Sequence, residues 1–172
     1  MQCEVFILKK MFLIFGIGVL LSGNCSAWEF DQSTDNVTNG FSKILRVNSI
    51  LNPSETLMIR VANDGRVDKL SVYIATNKTI LIESDYHALN VKFDDEKFFR
   101  DSIIESSNHI AIMFNSERSI LKKMIKHKRM RASFTESDGE FHEFDFDISG
   151  LKDEISKNGM FINDIDFSTE RD

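Results

Sequence analysis

Beyond residue 40 the chain reads as short runs in which apolar and polar residues alternate, broken by turn residues. That is the pattern of antiparallel strands with one buried face and one wet face. Residues 42–50 read as a first strand, with Ile44 and Val47 inward. Leu57, Ile59 and Val61 alternate with Met58 and Arg60 in a second. Asn63-Asp64-Gly65 follows as a turn, because Asp-Gly tolerates the positive φ of tight hairpins. Leu70, Val72 and Ile74 line one face of a third strand, and Thr76-Asn77-Lys78 turns the chain into a fourth over 79–83. Leu89, Val91 and Phe93 alternate with Asn90, Lys92 and Asp94 in a fifth, and 109–114 is a mostly apolar sixth.

The period then changes. Ile120, Leu121, Met124 and Ile125 share one face at helical spacing. Ser116 is placed as N-cap, Glu117 at the positive end of the dipole, and Lys122, Lys123 and Lys126 at the negative end. A second short helix over 150–157 has Leu151 and Ile155 one turn apart, Ser149 as its cap and Asn158-Gly159 as its end. Between the helices lies a hairpin of 129–136 with 140–148. The fold predicted is mainly β: an antiparallel β-sandwich or flattened barrel of about eight strands with two short helices.

The register of that hairpin follows from its apolar pattern. A three-residue loop Ser137-Asp138-Gly139, with Gly139 left-handed, sets Met130 opposite Phe146, Ala132 opposite Phe144 and Phe134 opposite His142. The other face then pairs Arg129 with Asp147, Arg131 with Asp145 and Ser133 with Glu143. A two-residue loop would mix Met130, Ala132 and Phe134 with Glu143, Asp145 and Asp147 on one surface. One step of slip exchanges the faces of a strand, so the apolar pattern selects the first register.

The start of the chain has a different character. Lys9 and Lys10 precede an apolar run over 11–21, and a small polar stretch ends in Cys25-Ser26-Ala27. A basic flank, a short apolar stretch and a small-residue cleavage site make a secretory signal peptide. The run is shorter than the roughly 20 residues needed to span a bilayer. Cleavage after Ala27 would divide the chain into a signal peptide (1–27), a single β-rich domain (28–159) and a tail or extra strand (160–172) that carries Phe161, Ile162, Ile165 and Phe167. Lipidation at Cys25, an uncleaved anchor and translation from Met11 are the alternatives. The expected location is periplasmic or secreted. Cys3 and Cys25 are the only cysteines and both lie in the leader, so the mature domain would have no thiol and no disulfide. Its length suffices for one core without them.

Net charge is −6, and loss of Glu4, Lys9 and Lys10 removes one acid and two bases to leave −7. That balance argues against nucleic acid as a partner. The run from Lys122 to Arg131 is locally basic and could meet an anionic surface of lipid or lipopolysaccharide through Lys126 and Lys128. The hairpin register instead neutralises much of it against the chain's own acids. His87, His109, His127 and His142 show no metal spacing with one another or with cysteine, so no metal and no cofactor is expected. Asp94-Asp95-Glu96, Asp145 with Asp147, and Asp164 with Asp166 lack a calcium-loop pattern. No nucleophile elbow, phosphate loop or dinucleotide fingerprint occurs.

A further pattern runs across the domain: Trp28, Leu57-Met58-Ile59-Arg60, Val72-Tyr73-Ile74, Phe93-Asp94, the apolar 110–114, and Phe146-Asp147-Ile148-Ser149-Gly150-Leu151. This layout resembles the type VI secretion-associated accessory family (VasI/TagO type) of Gram-negative bacteria. The resemblance implies an exported β-sandwich that acts by binding, with no catalytic residues to carry over. Family members often have cysteine after the arginine of the second strand and again near the C-terminus. Here Val61 stands at the first position and the second is missing, so no family disulfide carries over.

The expectation is a non-enzymatic envelope protein that holds a protein or cell-wall component, in a secretion-accessory, inhibitor or immunity-type role. Arg60, Tyr73 and Asp94 are the candidate contact residues. An envelope hydrolase acting on glycan or peptide is the rival, and an anionic-surface binder using Lys126 and Lys128 is a third reading.

Overall fold

The structure, a computed structural model, describes residues 27–35, 40–63, 68–80, 88–105, 110–136 and 138–160. Nine strands and two helices follow one another: β1 (Glu29–Asp35), β2 (Gly40–Asn48), β3 (Thr56–Asn63), β4 (Asp68–Ala75), β5 (Ala88–Phe93), β6 (Phe99–Glu105), β7 (Ala111–Phe114), α1 (Glu117–Met124), β8 (Arg129–Thr135), β9 (Phe141–Asp147) and α2 (Leu151–Lys157). Every pairing is antiparallel, in the order β1-β2-β3-β4-β7-β6-β5-β8-β9. The ladder does not close into a barrel. β6 belongs to two layers: Phe99–Ser102 face β5, whereas Ile103–Glu105 face β7. A strand that changes partner midway is how one sheet folds over on itself and brings its inner faces together.

Those inner faces make one apolar cluster. Leu57, Ile59, Val72, Ile74, Leu89, Val91, Phe93, Ile112, Phe114, Met130, Phe144 and Phe146 are all wholly buried in it. Each such side chain contributes about 1.5–3 kcal/mol over leaving it exposed. Helix α1 adds Ile120, Leu121 and Met124, and α2 adds Leu151 and Ile155. The two ends of the ladder are tied across the fold. The Trp28 indole donates to the Ser149 carbonyl at 3.2 Å, and the Ile50 amide donates to the Asp145 carbonyl at 2.7 Å. Trp28 itself is buried in the cluster.

The last hairpin has the register selected by its apolar pattern, with Met130 opposite Phe146, Ala132 opposite Phe144 and Phe134 opposite His142. Gly139 takes φ 92°, and the Glu136 amide donates to the Glu140 carbonyl to close the loop. No atom lies within 4 Å of the position a Cβ would take at Gly139, so a side chain there meets only backbone strain. Gly139→Ala is therefore expected to cost about 1–2 kcal/mol in chemical unfolding. A neutral result would show that the loop tolerates another turn type.

Several elements differ from their prediction. Ile44 does not face the core. Leu45 and Val47 do, and a period of two puts Ile44 on the opposite surface. Residues 79–80 are not strand, although Ile80 is buried; the rest of the expected fourth strand lies outside the described residues. β1 and β6 were not foreseen. Ser116 sits at the N-cap of α1 without capping it, since its hydroxyl donates instead to Asp101 Oδ1 at 2.7 Å. The N-cap of α2 is Gly150 at φ 75°, not Ser149. The leader, the Asp64-Gly65 turn and the tail beyond Met160 lie outside the described residues.

Candidate functional site

Among the described residues, three places hold chemically capable side chains. The first is the outer face of the β1-β2-β3-β4-β7 layer. Strand parity turns Arg60 and Tyr73 to this face, opposite to buried Ile59 and Ile74. Arg60 lies opposite Ser71, and Tyr73 lies opposite Met58. Arg60 and Tyr73 are thus diagonal neighbours on adjacent strands. Arg60 Nε donates to Ser42 Oγ at 3.0 Å. A shallow groove of about 520 Å³ runs here, lined by Ser33, Ser42, Arg60, Ala62, Lys69 and Ser71 among others. Lys69 and Ser71 also line a second hollow of about 600 Å³, which reaches Ser116, Glu117 and Arg118 at the start of α1. Beside the groove the register lays an apolar row across four strands: Met58, Tyr73, Met113 and Ile104. Ile104 is 54% exposed.

The second place is Asp94, whose carboxylate is engaged within the fold. It adopts φ 42° in the turn after β5. Its carboxylate accepts the amides of Lys128 and Arg129, at 3.2 and 2.9 Å to Oδ1, and lies 3.0 Å from His127 Nδ1. Arg131 donates to its carbonyl. Asp94 thus latches the β5 turn to the entry of β8. Burial alone would raise its pKa. The hydrogen bonds from His127, Lys128 and Arg129, with the nearby His127 charge, outweigh that and hold it below its ordinary value. A depressed folded pKa gives stability that is present above the unfolded pKa and is lost as pH falls through the folded one. Asp94→Asn should therefore be less stable than wild type at about pH 7, with the gap closing toward about pH 3 in urea titrations. A gap independent of pH would sink the latch.

The basic run around this latch is divided rather than pooled. Met124 and Met130 are buried, and Lys123 lies over the Phe99 ring at 4.5 Å. Arg129 does not reach Asp147, its partner across the ladder. It grips Asp145 diagonally, with Nε 2.7 Å from Oδ1 and Nη2 on Oδ2. That bond raises the guanidinium pKa further. Lys126 and Lys128 are exposed. They stand at the β5–β8 end, apart from Arg60 and Tyr73 in the fold's strand order.

The third place was not anticipated. His142, which has no metal spacing with another histidine or a cysteine in the sequence, meets Glu136 and Glu140 at the tip of the last hairpin, with one donor atom of each within 4.8 Å of the others. Nε2 lies 2.7 Å from Glu136 Oε1 and 4.0 Å from Glu140 Oε1. The apolar register carried the signal, because a pairing of Phe134 with His142 puts Glu136 opposite Glu140 one step further along the inner face.

No protein-family model matches the chain, and no curated protein matches it. Among solved structures the fold is similar to that of the crystal structure of invasion associated protein B from Bartonella henselae. The TM-score is 0.51 and the identity 11%, over 76% of this chain and 90% of that one. At that identity the likeness is one of fold alone.

Proposed function

We propose that this is an exported envelope protein that binds a protein or cell-wall partner without catalysing a reaction, through the outer face that carries Arg60 and Tyr73. The observation behind this reading is the juxtaposition on that face. Hydroxyls and cations line a shallow groove, and an apolar row with an exposed isoleucine flanks it. Mixed apolar and polar character on a rigid sheet suits recognition, with the aromatic and the arginine as the strongest candidate anchors. The groove is lined by side chains that hold and orient, and the Glu136–Glu140–His142 group lies outside it. A secretion-accessory role, as the type VI resemblance implies, fits such a module, as does an inhibitor or immunity role. Export is supported by the leader pattern.

The test uses the full chain with a C-terminal tag in a Gram-negative host. A mature N-terminus at Trp28 in the envelope fraction is expected. A photo-crosslinking residue at position 73 or 60 should give a discrete adduct that the same residue at position 141 does not. Arg60→Glu should abolish the position-73 adduct while changing stability by less than about 0.5 kcal/mol. A cytoplasmic product that begins at Met1, or equal adducts at all three positions, would refute the proposal.

A further inference from the structure

The tip of the last hairpin carries a donor set that the binding role leaves unused. Glu136 and Glu140 close the three-residue loop, and His142 stands one inward position along β9. Their side chains end the core face of the hairpin, where Phe134 stacks on the His142 ring at 4.7 Å between centroids. The Glu136 side chain is 4% exposed and that of His142 is 11% exposed. The His142 Nε2 atom is fully shielded from solvent yet makes no hydrogen bond. Its nearest carboxylate oxygen is Glu136 Oε1, 2.7 Å away.

We propose that Glu136, Glu140 and His142 form a zinc site. Two carboxylate oxygens and one imidazole nitrogen are a donor set that zinc accepts, with bonds of about 2.0–2.2 Å and a fourth position left for water. Tetrahedral geometry at those lengths sets ligand atoms about 3.3 Å apart. The observed separations of 2.7 and 4.0 Å from Nε2 bracket that value, and all three donor atoms lie within 4.8 Å of one another. Charge favours the same occupant. Two carboxylates converge at a partly shielded spot. Lys78 Nζ lies 3.5 Å from Glu140 Oε1. That pair is exposed on both sides and holds weakly, so a divalent ion displaces it. Bound zinc would pin both ends of the loop and the first turn of β9. Magnesium and calcium, which prefer all-oxygen shells, would compete poorly against the imidazole.

The purified protein, stripped of metal by chelator and dialysed, is titrated with zinc sulfate by calorimetry, with magnesium and calcium chloride in parallel runs. One zinc per chain is expected, with a thermal midpoint that rises with zinc concentration. Glu140→Gln and His142→Gln should each weaken binding at least about tenfold. Glu143→Gln, on the opposite face of β9, should leave it unchanged. Glu140 is a half-exposed side chain, so its variant carries the test even where the His142 variant does not fold. In histidine-ring NMR spectra of wild type, the His142 Nε2 signal should shift on adding zinc. No binding at about 100 μM zinc, or wild-type affinity in Glu140→Gln, overturns the proposal, because binding would then be missing or seated elsewhere.

Discussion

Trp28→Ala is expected to destabilise the domain by about 3–5 kcal/mol, the range for deleting a large aromatic from a packed site. Trp28 is 6% exposed, lies in the main cluster, and ties the strand that opens the sheet to the start of α2 through its bond to Ser149. Its loss opens a cavity where the two ends of the ladder meet. Trp28→Phe refills most of the volume but leaves the Ser149 carbonyl without the indole donor, so an intermediate cost is expected. Urea unfolding followed by far-ultraviolet circular dichroism measures both. Trp28 is the only tryptophan in the chain, so wild-type fluorescence reports on this site alone and should shift to longer wavelength on unfolding. A change within about 0.5 kcal/mol for Trp28→Ala would place residue 28 outside the cooperative core.

The second large effect comes from one strand with two faces. Phe144→Ala should cost about 3–5 kcal/mol, whereas Phe141→Ala should stay within about 0.5 kcal/mol. The chemical deletion is the same in both. Phe144 is 0% exposed and stacks between Phe134 and Phe146, and Phe141 is 61% exposed. The contrast tests the register directly, since a slip by one residue would exchange the two outcomes. Equal costs at both positions would mean that the hairpin does not hold the pairing of Ala132 with Phe144.

A mainly β chain, the inward faces of β3, β4 and β5, both helices and the pairing of β8 with β9 were legible because each is a local rule. Strand parity and helical spacing depend on nearest neighbours, and the hairpin register depends on one short loop. Local reading failed where a local rule lacked its usual marker. β1 carries polar residues along most of its length, and its described side chains are exposed, so no alternation announces it. β6 places Asp101 on its inner face between Phe99 and Ile103, which hides the apolar period. That carboxylate is tolerated because Ser116, from the start of α1, donates to it. In β2 apolar residues stand at both parities, Ile44 against Leu45 and Val47, and only the neighbour that covers the strand selects between them.

Residue order alone is enough to specify an alternating, antiparallel β chain and the apolar faces of its hairpins, because burial of apolar surface acts residue by residue. It also placed Arg60 and Tyr73 on the polar side of their strands. Folding decided that β6 joins two layers, that Arg60 lines a groove with Ser33 and Lys69, and that Asp94 is occupied as a latch. It also decided that Arg129 seeks Asp145 diagonally. These outcomes depend on distances between residues far apart in the chain, and such distances exist only once the sheet has folded over.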